Sequence, residues 1–179
     1  MRFILMIVLA VSCLSFYMMP QAEAKNRTTV TKKPNQQTLD IDNNGLKEIV
    51  RVDDKFDTEQ NFTIVVMSLK KEEIDSFSAA GKFKKIELVD LSGDGSKQIA
   101  VQYKDTNDFY NVVIYKLKDN MLSKIFSVSS GYGVDTEFNS TLPRVKVGRA
   151  KFLGGSSYAS DIPDWEIWVW IGDRFVKER

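Results

Sequence analysis

The chain has 179 residues, with 25 Lys and Arg against 24 Asp and Glu and a formal net charge of +1. No global field therefore steers it towards nucleic acid or an anionic membrane. It has no histidine and a single cysteine, Cys13. The commonest general base, the commonest transition-metal ligand, a disulfide framework and a Cys-type zinc site are all excluded.

In chain order, the first segment reads as an export signal. Arg2 is the only charge before the apolar run "FILMIVLAVSCLSFYMM", which Pro20 and Ala22-Glu23-Ala24 follow. A basic start, an apolar stretch and small residues around a cut predict a signal peptide over 1–24, cleaved after Ala24. Two rival readings stay open. Cys13 could carry lipid, although the apolar run continues past it to Met19. The run also reaches the lower limit for an uncleaved membrane span, against which Lys25, Arg27, Lys32 and Lys33 would all lie outside. Cleavage removes Cys13, and a mature chain without thiols fits a secreted or periplasmic protein. The three Asn-x-Thr/Ser sites, at Asn26, Asn61 and Asn139, matter only in a eukaryotic secretory path. Residues 25–38 are basic, polar and poor in apolar side chains, which predicts a flexible linker. Residues 39–179 are the size of one domain that can bury a core without staples.

That domain repeats itself. Leu39-Asp40-Ile41-Asp42-Asn43-Asn44-Gly45 is answered by Val89-Asp90-Leu91-Ser92-Gly93-Asp94-Gly95, and Glu48-Ile49-Val50 by Gln98-Ile99-Ala100-Val101. "NFTIVVMSLK" is then answered by "YNVVIYKLKD", and "IDSFSAAG" by "SKIFSVSSG". Self-similarity at a fixed period marks one supersecondary unit used repeatedly. Short β-branched and aromatic runs between turn residues make that unit an Asp-rich loop followed by strands, starting at 48–52 and 98–104. A third, worn unit follows: "LPRVKVGRAKF", a Gly/Ser turn "GGSSYASDIPD", then "WEIWVWIGDRFVKER" with Gly172-Asp173 as a turn. "KKEEIDSFSAAGKF" has helix formers, but the repeat assigns its middle to a strand. The expected fold is all-β, with about three antiparallel units in a partial propeller or small sheet assembly and little helix.

The loops resemble the Asp-rich repeat of the FG-GAP/VCBS type, found in integrin α-subunit propellers, in which Asp-x-Asp-x-Asp-Gly-x-x-Asp precedes an apolar strand. The resemblance covers roughly residues 39 to 131 by motif and the rest by strand rhythm. It implies blade-like units and calcium-binding loops. Closed propellers need about four to eight blades, so three units imply a partial ring or one completed by a partner. Calcium takes six to eight oxygen ligands, and alternate side chains of a tight loop converge on one side. Carried over residue by residue, the first loop offers Asp40, Asp42, Asn44, the carbonyl of Leu46, and Glu48. The second offers Asp90, Ser92, Asp94, the carbonyl of Ser96, and Gln98. Three anionic ligands against two predict tighter binding at the first loop. Asn-Gly and Asp-Gly also make plain turns with no metal, and that is the expected reading of the second loop.

Other features have simpler readings. Trp165, Trp168, Trp170 and Phe175 could present a sugar-stacking or partner surface, but alternation places Trp168 and Trp170 on one strand face, as core packing requires. Residues 131–133 and 154–157 are glycine-rich loops with no helix after them to make an anion cradle. Asp53 with Asp54, or Asp161 with Asp164, are carboxylate pairs of the type glycosidases use, with nothing in the sequence that positions them together. The expected function is an exported, non-enzymatic domain that binds a protein or cell-surface polymer, with calcium as its ion. The alternatives are a small secreted hydrolase working through carboxylates, and a structural envelope component. A membrane partner enters only if the signal is uncleaved or Cys13 is lipidated.

Overall fold

The computed structural model describes residues 36–55, 61–154 and 157–178, so the segment read as a signal peptide and most of the segment read as a linker lie outside the described residues. The described chain is all-β, with twelve strands and no helix. In the first sheet β1 (Gln36–Leu39), β2 (Glu48–Lys55), β3 (Asn61–Ser68) and β4 (Glu73–Ala80) pair in chain order. The second sheet repeats the pattern with β5 (Lys82–Val89), β6 (Gln98–Lys104), β7 (Tyr110–Lys118) and β8 (Met121–Ser130). The third holds β9 (Val134–Glu137), β10 (Arg144–Gly154), β11 (Ser157–Ile171) and β12 (Arg174–Lys177). Every pairing is antiparallel.

Each repeat unit opens one strand earlier than its motif suggests. β1 and β5 precede the Asp-rich loops, and β1 takes its first three residues from the segment read as linker. The register also aligns the units: Ile49 pairs with Met67 as Ile99 pairs with Tyr115, so Met67 and Tyr115 are counterparts. The segment with helix formers is β4 and the start of β5, as the repeat requires.

The third unit departs from expectation. Gly154 and Ser157, from the segment read as a Gly/Ser turn, pair between β10 and β11, and β11 runs on through further residues read as turn. Pro163 lies within that strand, where the register shifts between Arg149↔Asp164 and Lys151↔Ala159. A proline has no N–H to give a ladder, and such an irregularity accommodates it. The Gly172-Asp173 turn forms as expected, with Ile171 paired to Arg174 and Gly172 at φ 67°. Between β7 and β8, Asp119 (φ 52°) and Asn120 (φ 61°) both turn left-handed, the conformation a type I′ hairpin demands.

Alternation along the strands sends side chains to both faces and stacks the sheets. Val50, Val52, Phe62, Ile64 and Val66 of the first sheet meet Ile86, Ile99, Val101 and Leu117 of the second. The opposite face of the second sheet, with Ala100, Val112 and Ile114, meets Val145, Val147, Trp170 and Phe175 of the third. The second sheet is thus the middle layer, and Gln98–Val101 of β6 is buried throughout. Loop residues join in: Ile41 lies in the first core and Leu91 in the second, which places the Asp-rich loops at one end of the stack.

Candidate metal centre

The first loop, between Leu39 and Glu48, closes around its own carboxylates. Asp40 accepts the N–H groups of Asn44 (3.1 Å) and Gly45 (2.8 Å), one on each oxygen. Asp42 accepts the N–H of Asn44 at 3.2 Å and its side-chain amide at 2.9 Å. Asn44 turns its own oxygen to the N–H of Leu46, 2.7 Å away. Glu48 reaches back from the start of β2 to accept the N–H of Ile41 at 2.8 Å, and is only 4% exposed. The result is a cluster in which carboxylate oxygens of Asp40, Asp42 and Glu48 all lie within 4.8 Å of one another.

The electrostatics follow from this crowding. Burial pushes the Glu48 carboxyl above its ordinary range, the Ile41 N–H pulls it back, and the charges of Asp42 and Asp40 raise it further, for a net rise. A buried carboxylate beside two others is unfavourable unless a cation neutralises the group. Hard divalent cations with oxygen ligands meet that requirement. Of the five residues expected to hold calcium, Asp40, Asp42 and Glu48 converge. Asn44 has committed its oxygen to the backbone, and Leu46, its side chain 69% exposed, would serve by its carbonyl alone.

The second loop has the same backbone plan and a different charge balance. Asp90 accepts the N–H groups of Gly93 (2.6 Å) and Gly95 (3.0 Å), and Gln98 accepts the N–H of Leu91 at 2.8 Å, where Glu48 serves in the first loop. Asp94 accepts both the N–H (2.8 Å) and the hydroxyl (2.6 Å) of Ser96. These bonds, the hydroxyl first, hold the Asp94 carboxyl below its usual range. Lys97 sets its ammonium 3.6 Å from Asp90. Ser92 is exposed, the N–H and hydroxyl of Ser96 go to Asp94 while its carbonyl is the atom the sequence offered, and no three acidic groups gather among the described residues of this loop. A satisfied turn is the physical account of it.

The two loops touch. Lys97 donates its N–H to the Ile41 carbonyl at 2.6 Å, and Asn43 donates its side-chain amide to the Asp94 carbonyl at 3.0 Å. Nothing in the loop motif marked Asn43. The repeat did hold a signal, because Asn43 faces Gly93 in the alignment, a change of residue at a place of like conformation.

The aromatic residues divide. Trp170 is buried against Phe175 (centroids 5.2 Å apart), and Trp168 meets Phe126 at 5.6 Å, all between the second and third sheets. Trp165 stands apart, 46% exposed. It lies 4.0 Å from where a Cβ on Gly133 would be, and Phe109 lies 3.7 Å from the same point on Gly131. Phe109 (45% exposed) and Tyr132 (43% exposed) are the other exposed aromatic residues of this region, and neither was marked by the sequence, whereas Trp165 was. Asp53 is paired with Arg51 at 2.7 Å, while the side chains of Asp54 and Asp161 lie outside the described residues.

No family model matches the chain, and no curated protein does. Among solved structures it is similar to a periplasmic inhibitor of I-type lysozyme from Aeromonas hydrophyla, at 16% identity and a TM-score of 0.37. The likeness covers 58% of this chain and 87% of that one. Similarity at this level assigns neither a family nor a function.

Proposed function

We propose that this chain is an exported, non-enzymatic domain that binds a protein or cell-surface polymer, and that calcium held by Asp40, Asp42 and Glu48 stiffens it. The single observation carrying the binding reading is the exposure of Phe109, Tyr132 and Trp165 around the Gly131–Gly133 segment. Each residue is more than two-fifths exposed, whereas Phe62, Trp170 and Phe175 are buried in the two cores. Aromatic side chains with an apolar body and, in Tyr and Trp, a polar tip are the enriched anchors of binding surfaces. The calcium half rests on the three gathered carboxylates and the buried position of Glu48. An ion here has a structural role, as in extracellular modules with weak sites.

The test is co-sedimentation of the purified mature domain with isolated cell envelopes, untreated or protease-treated. Binding lost after protease identifies a protein partner, and binding retained identifies a polymer. Replacing Tyr132 and Trp165 together by Ala should weaken sedimentation at least tenfold, since anchors of this type are worth about 2 kcal/mol or more. Equal sedimentation of variant and wild type would overturn these exposed aromatic residues as the binding surface.

A further inference from the structure

Asp40–Gly45 and Asp90–Gly95 correspond residue for residue, and at the fourth place both turn left-handed, Asn43 at φ 61° and Gly93 at φ 75°. Glycine adopts that conformation at no steric cost, so the backbone alone does not account for asparagine in the first loop. Its surroundings do. Asn43 donates to the Asp94 carbonyl at 3.0 Å, across 51 residues of chain. Gly95 comes so near that a Cβ on it would lie 3.1 to 3.3 Å from the Asn43 amide. The bond from the Lys97 N–H to the Ile41 carbonyl, 2.6 Å, fastens the same junction from the other side. Gly93 by contrast has nothing within 4 Å of its would-be Cβ, and the third unit has no Asp-rich loop for it to meet.

We propose that the second Asp-rich loop is the abutment of the first: it holds the first loop in its carboxylate-gathering shape, with Asn43 as the positioning residue. This explains a pair of loops with one backbone plan and unequal charge. The second loop closes its own turns on Asp90, with Gln98 in place of Glu48 and Lys97 beside Asp90, and gathers no three carboxylates. The first loop carries three clustered carboxylates and leans on that fixed neighbour. Only where a cation enters does the inference rest on the calcium reading above.

Asn43→Gly keeps the left-handed backbone and deletes the amide; Asn43→Asp keeps the size and turns a carboxylate towards the Asp94 carbonyl. Amide hydrogen exchange in the presence of chelator reads both. In each variant the N–H of Lys97 should exchange faster, and so should those of Asn44 and Gly45, which bond to Asp40. The acceleration should be roughly two- to tenfold, the equivalent of one hydrogen bond's usual net worth. Amides of β6 and β7 should keep their rates, which shows that the variants are folded. Unchanged exchange at Asn44 and Gly45 would overturn the proposal, because the first loop would then hold itself. In a parallel melt with 1 mM calcium, a stabilisation smaller in Asn43→Gly than in wild type supports it, and an equal one overturns it. If calcium leaves the wild type unmoved, the calcium reading fails, and the exchange rates still decide the abutment.

Discussion

Glu48 and Gln98 accept the N–H of Ile41 and of Leu91, both at 2.8 Å, from seven residues downstream. The chain therefore carries its own isosteric control: glutamine serves in the second loop where glutamate serves in the first. Glu48→Gln should keep the fold, raise the melting temperature in chelator by relieving the carboxylate crowding, and lose the calcium response; circular dichroism melts read all three. With weak extracellular-type sites of Kd about 0.1 to 1 mM, 1 mM calcium should stabilise the wild type by about 0.5 to 1.5 kcal/mol. Asp42→Ala should remove most of that increment and Ser92→Ala almost none, compared in the same melts. A pH effect belongs to Tyr115, whose hydroxyl burial, with a smaller contribution from Tyr103, pushes up to about 12 from an ordinary 10.0. A raised folded pKa gives stability that is complete below 10.0 and lost as pH rises through about 12. Alkaline unfolding should therefore show a component across that window, and Tyr115→Phe should remove it in a pH-jump melt.

At the scale of the element, turns decide where strands stop. Gly81, at φ 136°, joins β4 to β5, and a Cβ there would sit 2.3 Å from the Lys104 carbonyl oxygen and 2.7 Å from the Asp105 Cα. Both obstacles are backbone, so neither moves cheaply. Gly81→Ala should cost about 2 to 3 kcal/mol, read as a lowered urea midpoint at unchanged slope. Asn120 occupies the second place of an open two-residue hairpin, and Asn120→Gly should stay within about 0.5 kcal/mol of wild type in the same titration. The two differ because only Gly81 is pressed against a neighbouring chain segment. β11 shows the reverse limit of turn signals, since Ser157, Ser160 and Pro163 read as part of a turn and the structure extends the strand through them. Pairing with the eleven-residue β10 overrides local preference, which in strands depends chiefly on the neighbours.

At the scale of the whole molecule, the stack ends in charged faces. Val101 and Tyr103 of the second sheet pack into the core shared with the first. Their counterparts on the outer face of the first sheet are Arg51 and Asp53, ion-paired at 2.7 Å beside the small buried group Ile49, Val65 and Met67. On the third sheet Val145 and Val147 face inward, which turns Arg144 and Lys146 outward, where Lys146 pairs with Glu137. Polar outer faces are how terminal units of repeat arrays stop growth. A ring completed by a second copy would need those charges buried, so the stack should behave as a closed three-sheet unit. Replacing Arg51 by Val and Asp53 by Tyr, as the second sheet has them, should produce concentration-dependent association in light scattering. A variant that stays at wild-type mass would show that these charges are not what terminates the stack.

The sequence by itself determined the all-β class, the repeat, strand starts at Glu48 and Gln98, and the carboxylates that gather in the first loop. Each of these is a local pattern: alternation with period two, turn residues at fixed offsets, and acids spaced within a single loop. Only the tertiary structure decided that β1 and β5 belong to their units, that Phe109, Tyr132 and Trp165 stay exposed while Trp168 and Trp170 turn inward, and that Asn43 meets Asp94. Those depend on register and on contacts between segments far apart in the chain, such as the 51 residues that separate Asn43 from Asp94. No periodicity encodes such contacts, because they arise when whole sheets choose which of their two faces to bury.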